Sequence, residues 1–384
     1  MSSRRLSHLR VAFLINDSAF FVSHRLPIAL KVKELGGEVC LISGTGINKQ
    51  RELEAAIALQ KSGIEHFCCS FSQGFKNPIA ETYGFFELIW YLRKFRPCIV
   101  HSATNKGNLL ASIACHFLNN TKLIISVSGM GTLFTDKVRS GKKIMQIIFS
   151  KILHLTLKRL NFRLIFQNRE DYSSFREVIN FEESLASIIM GSGVDTKLLK
   201  PSKSRNKRNV LLPARILYEK GIAEYVEASR ILQKQGIRAK FLLAGDILSV
   251  NPSSIPLSQI RQWEKEGLIS YLGFRRSIKD LYKDIAIVCL PSYREGFPKV
   301  LMEAASLGLP VITTDVPGCR DAVINNKTGL LVPHKDSKKL AFAIKKLFLN
   351  RELQREMGLN NRKIAVKKFD IRNIVSQIIK LYND

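Results

Sequence analysis

The stretch PSYREGFPKVLMEAASLGLPVITTDVPG, residues 291–318, contains one full unit of a layered fold. The apolar run AIVCLPS predicts a buried strand that ends near Ser292, and Pro298 is typical of the first residue of a helix. Gly308 and Pro310 end that helix and begin the next strand. This order of strand, turn, helix and strand is typical of a parallel sheet covered by helices.

Short apolar runs alternate with helical patterns along the rest of the chain, which predicts an α/β fold. The alternation pauses at KPSKSRNKRN, residues 200–209, where proline, serine and positive charge replace the apolar period. We therefore place a domain boundary there, between residues 1–200 and residues 201–367. The first domain is expected to contain strands at residues 9–16, 38–44, 98–103, 122–129 and 163–168, and the second at residues 209–215, 239–246, 269–274, 286–292, 310–315 and 329–333.

The composition is that of a globular protein with a large positive charge. The 384 residues are 46% hydrophobic, enough for a substantial core, and no apolar run predicts a membrane-spanning helix. The net charge of +28 favours a polyanionic partner such as nucleic acid, an anionic membrane surface or phosphorylated small molecules. The seven cysteines form no Cys-x-x-Cys pair, so buried free thiols in a reducing compartment are expected. We read no signal peptide at the N-terminus.

Two glutamates border a predicted phosphate site in the quoted stretch. The start of a helix attracts phosphate through unpaired amides and the positive end of the helix dipole. Glu295 lies in the turn before the helix, and Glu303 lies roughly 7 Å along it at about 1.5 Å per residue. Carboxylates accept hydrogen bonds from sugar hydroxyls, so the spacing suits a diphosphate with hydroxyl-rich groups at both ends. Without the surrounding strand and helix pattern, two glutamates at this spacing would more often be a turn residue and an exposed helix residue without a binding role. The residues that would surround the phosphates are Gly296, Phe297, Pro298, Lys299, Val300 and Leu301.

Two cations follow the first strand of the second domain in LLPARILYEKGI. Arg215 and Lys220 could neutralise the charge that builds on a diphosphate leaving group. Exposed cations are also common at such turns, so the pair alone leaves both interpretations open. A metal ion is the other way to meet this charge, but the sequence has no Asp-x-Asp and no histidines paired on a helix face. We therefore expect neither a metal nor a cofactor.

The quoted stretch resembles the E-x7-E motif of retaining glycosyltransferases of the group 1 family. Their fold, GT-B, has two facing Rossmann-like domains with mostly parallel sheets and a cleft between them. The resemblance implies that Glu295 contacts the donor sugar, that Glu303 holds the ribose hydroxyls, and that Arg215 and Lys220 grip the donor diphosphate. Glu295, Arg215 and Lys220 are accordingly the expected catalytic residues.

The resemblance covers nearly the whole chain. LAGD and YLGFR resemble family segments around the donor base and phosphates, which adds Gly245 and Arg275 to the donor site. It implies that residues 201–367 bind the nucleotide sugar and that residues 1–200 bind the acceptor and face the membrane. A last helix, residues 368–384, is expected to cross back to the first domain.

The N-terminal half is similar to a narrower bacterial group. Its first strand-to-helix turn reads NDSAFFVSHRLP, as in transferases that extend a polyprenyl-diphosphate-linked acceptor in O-antigen, capsule or glycan assembly. The resemblance implies that His24, Arg25, His101, Lys106 and Gly129 border this acceptor. His24 could equally lie near a helix cap, and His101 could be a satisfied histidine at a strand end. Lys106 is favoured because a lipid diphosphate needs a cation.

Positive charge is concentrated between Leu88 and Arg169, which include fourteen Lys and Arg residues and a single acid, Asp136. Residues 141–163 combine an apolar helical face with Lys142, Lys143, Lys151, Lys158, Arg159 and Arg163. A basic amphipathic helix can lie in an anionic membrane surface, at about 1 kcal/mol per Lys or Arg. An ordinary core helix with a solvated charged face is the alternative. We expect a cytoplasmic protein, peripheral on the inner face of the cell membrane.

The leading hypothesis is a metal-independent hexosyltransferase. It would move a hexose or N-acetylhexosamine from a nucleotide-diphosphate sugar, with UDP expected, to a polyprenyl-diphosphate-linked saccharide of a surface polysaccharide. Retention of configuration follows from the resemblance alone. One alternative on the same fold is a hydrolase like UDP-N-acetylglucosamine 2-epimerase, which needs no acceptor. A basic nucleic-acid-binding protein is the other alternative, but no recognition motif supports it and we expect no nucleic acid.

Overall fold

The chain folds into two compact units, one of residues 1–192 with 374–384 and one of residues 193–373. The computed structural model describes residues 9–46, 48–72, 77–129, 140–202, 208–247 and 251–384, without the side chains of residues 72 and 140–145. Each unit contains one parallel sheet with helices packed on it, which confirms the predicted α/β class with two Rossmann-like domains. The predicted linker at residues 200–209 includes residues 203–207, which lie outside the described residues, and the predicted boundary itself stays a prediction.

The sheet of the first unit has seven strands in the order β3-β2-β1-β4-β5-β6-β7. Chain connections run outward in opposite directions from β1 and β4, so the switch point of the sheet lies between them. Ligands of open parallel sheets bind at the carboxyl ends of the strands at such a point. The strands are β1 (Arg10–Ile15), β2 (Glu38–Thr45), β3 (Glu65–Ser72), β4 (Ile99–Ala103), β5 (Lys122–Val127), β6 (Phe162–Phe166) and β7 (Ala186–Ile188).

Seven α-helices lie in the connections between these strands in the described part of the first unit. They are α1 (Ser18–His24), α2 (Leu26–Glu34), α3 (Lys49–Ser62), α4 (Pro78–Phe95), α5 (Asn105–Ala114), α6 (Ser140–Leu157) and α7 (Arg169–Val178).

The second unit repeats this plan with six strands in the order β10-β9-β8-β11-β12-β13, and its switch point lies between β8 and β11. The strands are β8 (Asn209–Pro213), β9 (Lys240–Ala244), β10 (Ser270–Tyr271), β11 (Ile285–Leu290), β12 (Val311–Thr314) and β13 (Gly329–Val332). The helices are α8 (Ile222–Lys234), α9 (Leu257–Lys265), α10 (Ile278–Leu281), α11 (Lys299–Ser306), α12 (Ser337–Leu349) and α13 (Arg351–Ile364). A last helix, α14 (Ile371–Asn383), contributes its residues from 374 onward to the first unit.

Every predicted strand is present, but the prediction missed β3 and β7. In β3, the buried side chains Phe67, Cys69 and Phe71 alternate with more exposed ones, which is the period-2 pattern of a strand. β7 has three residues, too few to show a period.

The stretch NDSAFFVSHRLP forms two helices, so its interpretation as a turn was wrong. The carboxylate of Asp17 accepts a hydrogen bond from the Phe20 amide at 2.7 Å and caps α1. His24 therefore ends α1, and Arg25 separates α1 from α2.

The predicted basic helix is α6, which ends at Leu157. Lys158 and Arg159 follow it as exposed residues, but Arg163 lies in β6 and does not flank the helix, which corrects that part of the prediction. The side chains of Lys142 and Lys143 lie outside the described residues. Over the ranges given above, no helix is both long and apolar enough to cross a membrane.

All seven cysteines are free thiols. Five of them are buried, whereas Cys68 and Cys98 are exposed, so the expectation of buried thiols was wrong for these two.

Candidate active site

An ion pair joins the segments that follow the two switch-point strands of the second unit. Lys220 Nζ lies 2.5 Å from Glu295 Oε1, and both side chains are largely buried, with exposed fractions of 13% and 15%. Lys220 ends a 3₁₀ turn after β8, and Glu295 lies in the loop after β11. The Tyr293 amide also donates to the Glu219 carbonyl at 2.9 Å. Two residues that the sequence placed in one site therefore meet directly.

Arg215 follows β8 and its side chain is exposed. Arg275, which follows β10, is exposed as well. Within the described ranges no carboxylate pairs with either guanidinium. Both can therefore bind an anion without breaking an existing ion pair.

Gly245 brings the end of β9 against the segment after β8. At its φ of 154°, a Cβ would lie 1.8 Å from the carbonyl oxygen of Ala214, so the two backbones are in direct contact. Its amide donates to the Gly273 carbonyl at 3.0 Å, and its own carbonyl accepts from the Tyr271 hydroxyl at 2.8 Å. Gly245, which was predicted to bind the nucleotide-sugar donor, therefore forms part of the backbone surface next to Arg215.

The predicted phosphate-binding residues lie in the turn before α11 and in its first turn. Pro298 is the N-cap, with extended backbone at φ −72° and ψ 119°, so the helix begins at Lys299 and not at Pro298 as predicted. The side chains of Phe297 and Leu301 are buried, and Phe297 packs edge-on against Phe369 at 5.5 Å between ring centroids. Gly296, Lys299 and Val300 are half-buried.

Glu303 is a buried carboxylate, not an exposed helix charge. It is 7% exposed, and the Tyr282 hydroxyl donates to its Oε2 at 3.3 Å. Burial raises the pKa of Glu303, while nearby Lys299 and the hydrogen bond from Tyr282 oppose that rise. A buried acid with a single neutral donor is costly to ionise, which is typical of a functional position.

In the first unit, Arg25 is a buried cation with weak hydrogen bonds. It is 3% exposed and donates at 3.4 Å to the His24 carbonyl and at 3.4 Å to Ser128 Oγ. Its Nε has no hydrogen-bond partner among the described residues, and no described carboxylate pairs with it. Burial lowers the pKa of Arg25 to about 10.

His101 lies in β4 with both ring nitrogens hydrogen-bonded. Its Nδ1 is 2.5 Å from the hydroxyl of Tyr382 in α14, and its Nε2 is 2.8 Å from Ser126 Oγ. Burial, and to a smaller extent the charge of Arg25, hold the pKa of His101 well below its usual range. This neutral, fully buried histidine fits the alternative of a satisfied side chain in the core of the sheet.

Lys106, the favoured cation for a lipid diphosphate, is paired within the unit. Its Nζ forms an ion pair with Glu81 of α4, with side-chain exposed fractions of 6% and 13%. His24 is half-buried, stacks on Phe20 at 4.3 Å between ring centroids and is hydrogen-bonded to Ser23 Oγ at 2.5 Å. Gly129 follows β5 with a φ of 118°. Among these candidates, Arg25 is the cation for which the described residues provide no partner charge.

The sequence analysis did not predict that two tyrosine hydroxyls and the loop after β12 contact candidate site residues. Tyr382 is 281 residues from His101, and no local pattern connects them. Tyr282 likewise reaches Glu303 from the end of α10. The loop after β12 supports Glu295 because the Glu295 amide donates to the Pro317 carbonyl at 3.3 Å; Pro-Gly at residues 317–318 is a turn signal that could have drawn attention to it.

No group of three or more His, Cys, Asp or Glu side chains that could hold a metal ion is found in the part of the chain that the structure describes.

Gly318→Ala should destabilise the protein more than an ordinary glycine substitution. At Gly318 a Cβ would lie 2.4 Å from the Gly296 carbonyl oxygen and 2.5 Å from that of Glu295, at a φ of 74°. Gly236 has the same φ of 74° and nothing within 4 Å, so Gly236→Ala is the matched control. We expect Gly236→Ala to lower the free energy of unfolding by roughly 1–2 kcal/mol, and Gly318→Ala to lower it by about 1–3 kcal/mol more, in urea titrations. Equal losses would contradict the contact with the Glu295 loop.

Glu303→Gln should stabilise the protein above pH 4.5 and have little effect below it. Burial raises the pKa of Glu303 from its usual 4.5, so the folded state favours the protonated form. The parent therefore loses free energy of unfolding as the pH rises from 4.5 through the folded-state pKa, whereas the Gln variant does not. Melting temperatures across pH 4 to 8 should separate the variant from the parent at the upper end. Glu356→Gln, an exposed site on α13, is the control and should show no such trend. A pH-independent difference for Glu303→Gln would contradict the burial effect.

Comparison with known proteins shows what this chain is similar to. Residues 195–364 match the family model described as glycosyl transferases group 1. Over 98% of both chains, the protein is 26% identical to the N,N'-diacetylbacillosaminyl-diphospho-undecaprenol alpha-1,3-N-acetylgalactosaminyltransferase of Campylobacter jejuni. It is 25% identical to the UDP-Gal:alpha-D-GlcNAc-diphosphoundecaprenol alpha-1,3-galactosyltransferase of Escherichia coli, over 76% of this chain and 77% of that one.

The same fold is found in Anabaena Alr3699/HepE, solved in complex with UDP-glucose. The TM-score is 0.78 at 18% identity, covering 98% of this chain and 100% of that one. Structural neighbours of this kind are GT-B glycosyltransferases. The chain is therefore a glycosyltransferase that carries a glycosyl transferases group 1 domain and has the GT-B fold.

Proposed function

We propose that this enzyme transfers a hexose or N-acetylhexosamine, with retention of configuration, from a UDP-sugar to a polyprenyl-diphosphate-linked saccharide during assembly of a bacterial surface polysaccharide. The observation that carries the proposal is the ion pair of Glu295 and Lys220 at the switch point of the second unit, where the exposed Arg215 follows β8 in the same segment as Lys220. The relatives from Campylobacter jejuni and Escherichia coli are named for diphospho-undecaprenol acceptors, and the Escherichia coli relative for a UDP donor, which supports both substrate classes.

The donor diphosphate binds between Arg215 and Lys220 in this proposal. Arg215 is exposed without an ion pair, so its guanidinium can bind two phosphate oxygens side by side. Lys220 has three N–H donors and uses one on Glu295, which leaves donors for the leaving phosphate. Two cations at that position stabilise the charge that develops as the sugar departs, without a metal ion or other cofactor.

The two glutamates bind hydroxyl groups on either side of the diphosphate. Glu295 is held by Lys220 and keeps one oxygen for a hydroxyl of the donor sugar. Glu303 is buried with one hydroxyl donor, and two ribose hydroxyls would supply the donors that its ionised form needs. Binding of the nucleotide then lowers the pKa of Glu303 from its raised value.

The acceptor diphosphate contacts Arg25 in the first unit. Phosphate oxygens would give the orphan Nε of Arg25 an acceptor and would neutralise a guanidinium that no described carboxylate balances. Ser128 and Gly129 lie beside it after β5. Lys106 would have to leave Glu81 to bind the same anion, so we assign the main role to Arg25.

The enzyme works on the inner face of the cell membrane as a peripheral protein. A polyprenyl acceptor is held in the bilayer, and the positive charge of the chain favours an anionic surface.

Glu295→Ala and Arg215→Ala should each reduce transfer by about a hundredfold or more while the protein stays folded, because each removes a group that meets charge or sugar at the reacting centre. Purified parent and variants are offered UDP- and GDP-sugars with a short-chain polyprenyl-diphosphate saccharide, and product is followed by mass spectrometry. Arg238 is an exposed arginine that precedes the amino end of β9, whereas the proposed site follows the carboxyl ends of the strands. Arg238→Ala should therefore keep full activity. EDTA should leave the rate unchanged. Hydrolysis of the nucleotide sugar without acceptor would favour the epimerase-like hydrolase instead.

Arg25→Met should weaken acceptor binding and raise thermal stability. The change removes a buried cation without a partner charge but keeps most of the side-chain volume. We expect the KM for the acceptor to rise about ten- to hundredfold, as for loss of hydrogen bonds to a charged group, and the KM for the donor to stay the same. A lower melting temperature with an unchanged acceptor KM would show that Arg25 is only structural.

A further inference from the structure

Helix α4 turns a stripe of large apolar side chains outward. We define the α4 stripe as Ile79, Tyr83, Phe86 and Trp90, with exposed fractions of 81%, 62%, 64% and 58%. Their spacing of four, three and four residues places them on one helix face over roughly 16 Å, at about 1.5 Å per residue. Single exposed apolar residues are ordinary, but four neighbours in line mark an interaction surface.

The stripe cannot be turned inward by rotating the helix. The opposite face of α4 packs on the core through Leu88, Leu92 and Phe95, all of them buried. Gly84 lies directly on β3, because a Cβ there would be 2.6 Å from the Phe71 amide nitrogen. The close contact holds α4 in this orientation.

The charge beside the stripe is positive. Arg93 and Lys94 are exposed in the last turn of α4, and the Lys94 ammonium lies 5.4 Å from the centre of the Trp90 ring. The two acids of α4, which the structure describes in full, are both engaged within the unit. Glu81 pairs with Lys106, and Glu87 accepts a hydrogen bond from the Ser70 amide at 2.7 Å.

The same surface continues to α6. Phe117, after α5, is 48% exposed, packs against Phe85 of α4 and accepts from Arg93 Nε through its carbonyl at 3.5 Å. The neighbouring His116 is 3.0 Å from the Thr156 carbonyl of α6. α6 adds further exposed side chains of the same two kinds, apolar at Ile147, Ile148 and Leu155 and basic at Lys151.

We propose that the α4 stripe inserts into the interface of an anionic phospholipid bilayer and that the flanking cations bind the lipid headgroups. Trp and Tyr favour this depth because their rings combine an apolar body with a polar tip, and the sign of the charge is complementary to anionic lipid. A second copy of this chain carries the same charge of +28 and would be repelled. The inference rests on the proposed function, because an acceptor held in the membrane explains why the enzyme would bind the bilayer.

Trp90 provides a direct test in the full-length protein. The chain has two tryptophans, so Trp263→Phe leaves Trp90 as the single fluorophore. Vesicles of phosphatidylcholine with phosphatidylglycerol should shift its emission to shorter wavelength, and acyl chains that carry a bromine quencher should dim it. Pure phosphatidylcholine should do so much less.

A pair of substitutions tests the stripe by sedimentation with the same vesicles. Tyr83→Ser with Phe86→Ser should weaken binding at least about tenfold, because each ring loses its contact with the apolar region. Phe342→Ser, at a side chain 67% exposed on α12 of the second unit, is the matched control and should bind like the parent.

Three results would each overturn the inference. The first is unchanged Trp90 emission on vesicles that sediment the protein. The second is equal vesicle binding by the Ser variant and the parent. The third is concentration-dependent dimerisation that the Ser variant abolishes without lipid, which would assign the stripe to a second copy. Transfer to a water-soluble short-chain acceptor should be the same in the Ser variant and the parent. Loss of vesicle binding alone therefore leaves the proposed function standing, and a parent without transferase activity refutes that function whatever the vesicles show.

Discussion

The ion pair between Lys220 and Glu295 holds the two segments of the proposed donor site together without a ligand. It joins residues 75 positions apart at the switch point of the sheet, where the neighbouring strands β8 and β11 send their connections in opposite directions. Both charges are largely buried, so each needs the other, and a ligand must add contacts to the pair and not break it. Lysine suits this because its ammonium can serve a carboxylate and a phosphate at once.

Two other buried ionisable side chains have few hydrogen-bond partners, and their charges have opposite signs. Glu303 in the second unit has one hydroxyl donor, and Arg25 in the first unit has two long hydrogen bonds and an orphan nitrogen. Burial opposes ionisation in both, since it raises the pKa of Glu303 and lowers that of Arg25. Each position therefore costs stability in the free enzyme, and the ligands proposed above would offset that cost in different ways: hydroxyl donors for the acid, an anion for the cation.

The sequence was sufficient where a signal is local. The apolar run IAIVCL, residues 285–290, predicts β11 because a strand covered on both faces needs no polar residue, and every side chain in it is buried. The E-x7-E spacing placed Glu295 and Glu303 correctly around the start of α11. The pairings of Lys106 with Glu81 and of His101 with Tyr382 could not be foreseen, because they depend on which helix packs against which strand end. The cap at Asp17, by contrast, was a local signal that the prediction overlooked.

The net charge of +28 likewise does not show which cations are paired and which are exposed, because that depends on packing. Lys106 and Lys220 each form an ion pair with a glutamate, so these two cations add little to the field that a distant polyanion meets. The cations that do contribute are exposed ones such as Lys94 and Lys151, and they lie beside outward-facing apolar side chains on α4 and α6. A polynucleotide would require such cations to line a groove or to alternate with stacking rings at base spacing. A lipid surface requires only that cations and apolar groups share one face, which is what packing α4 and α6 on the same sheet produces.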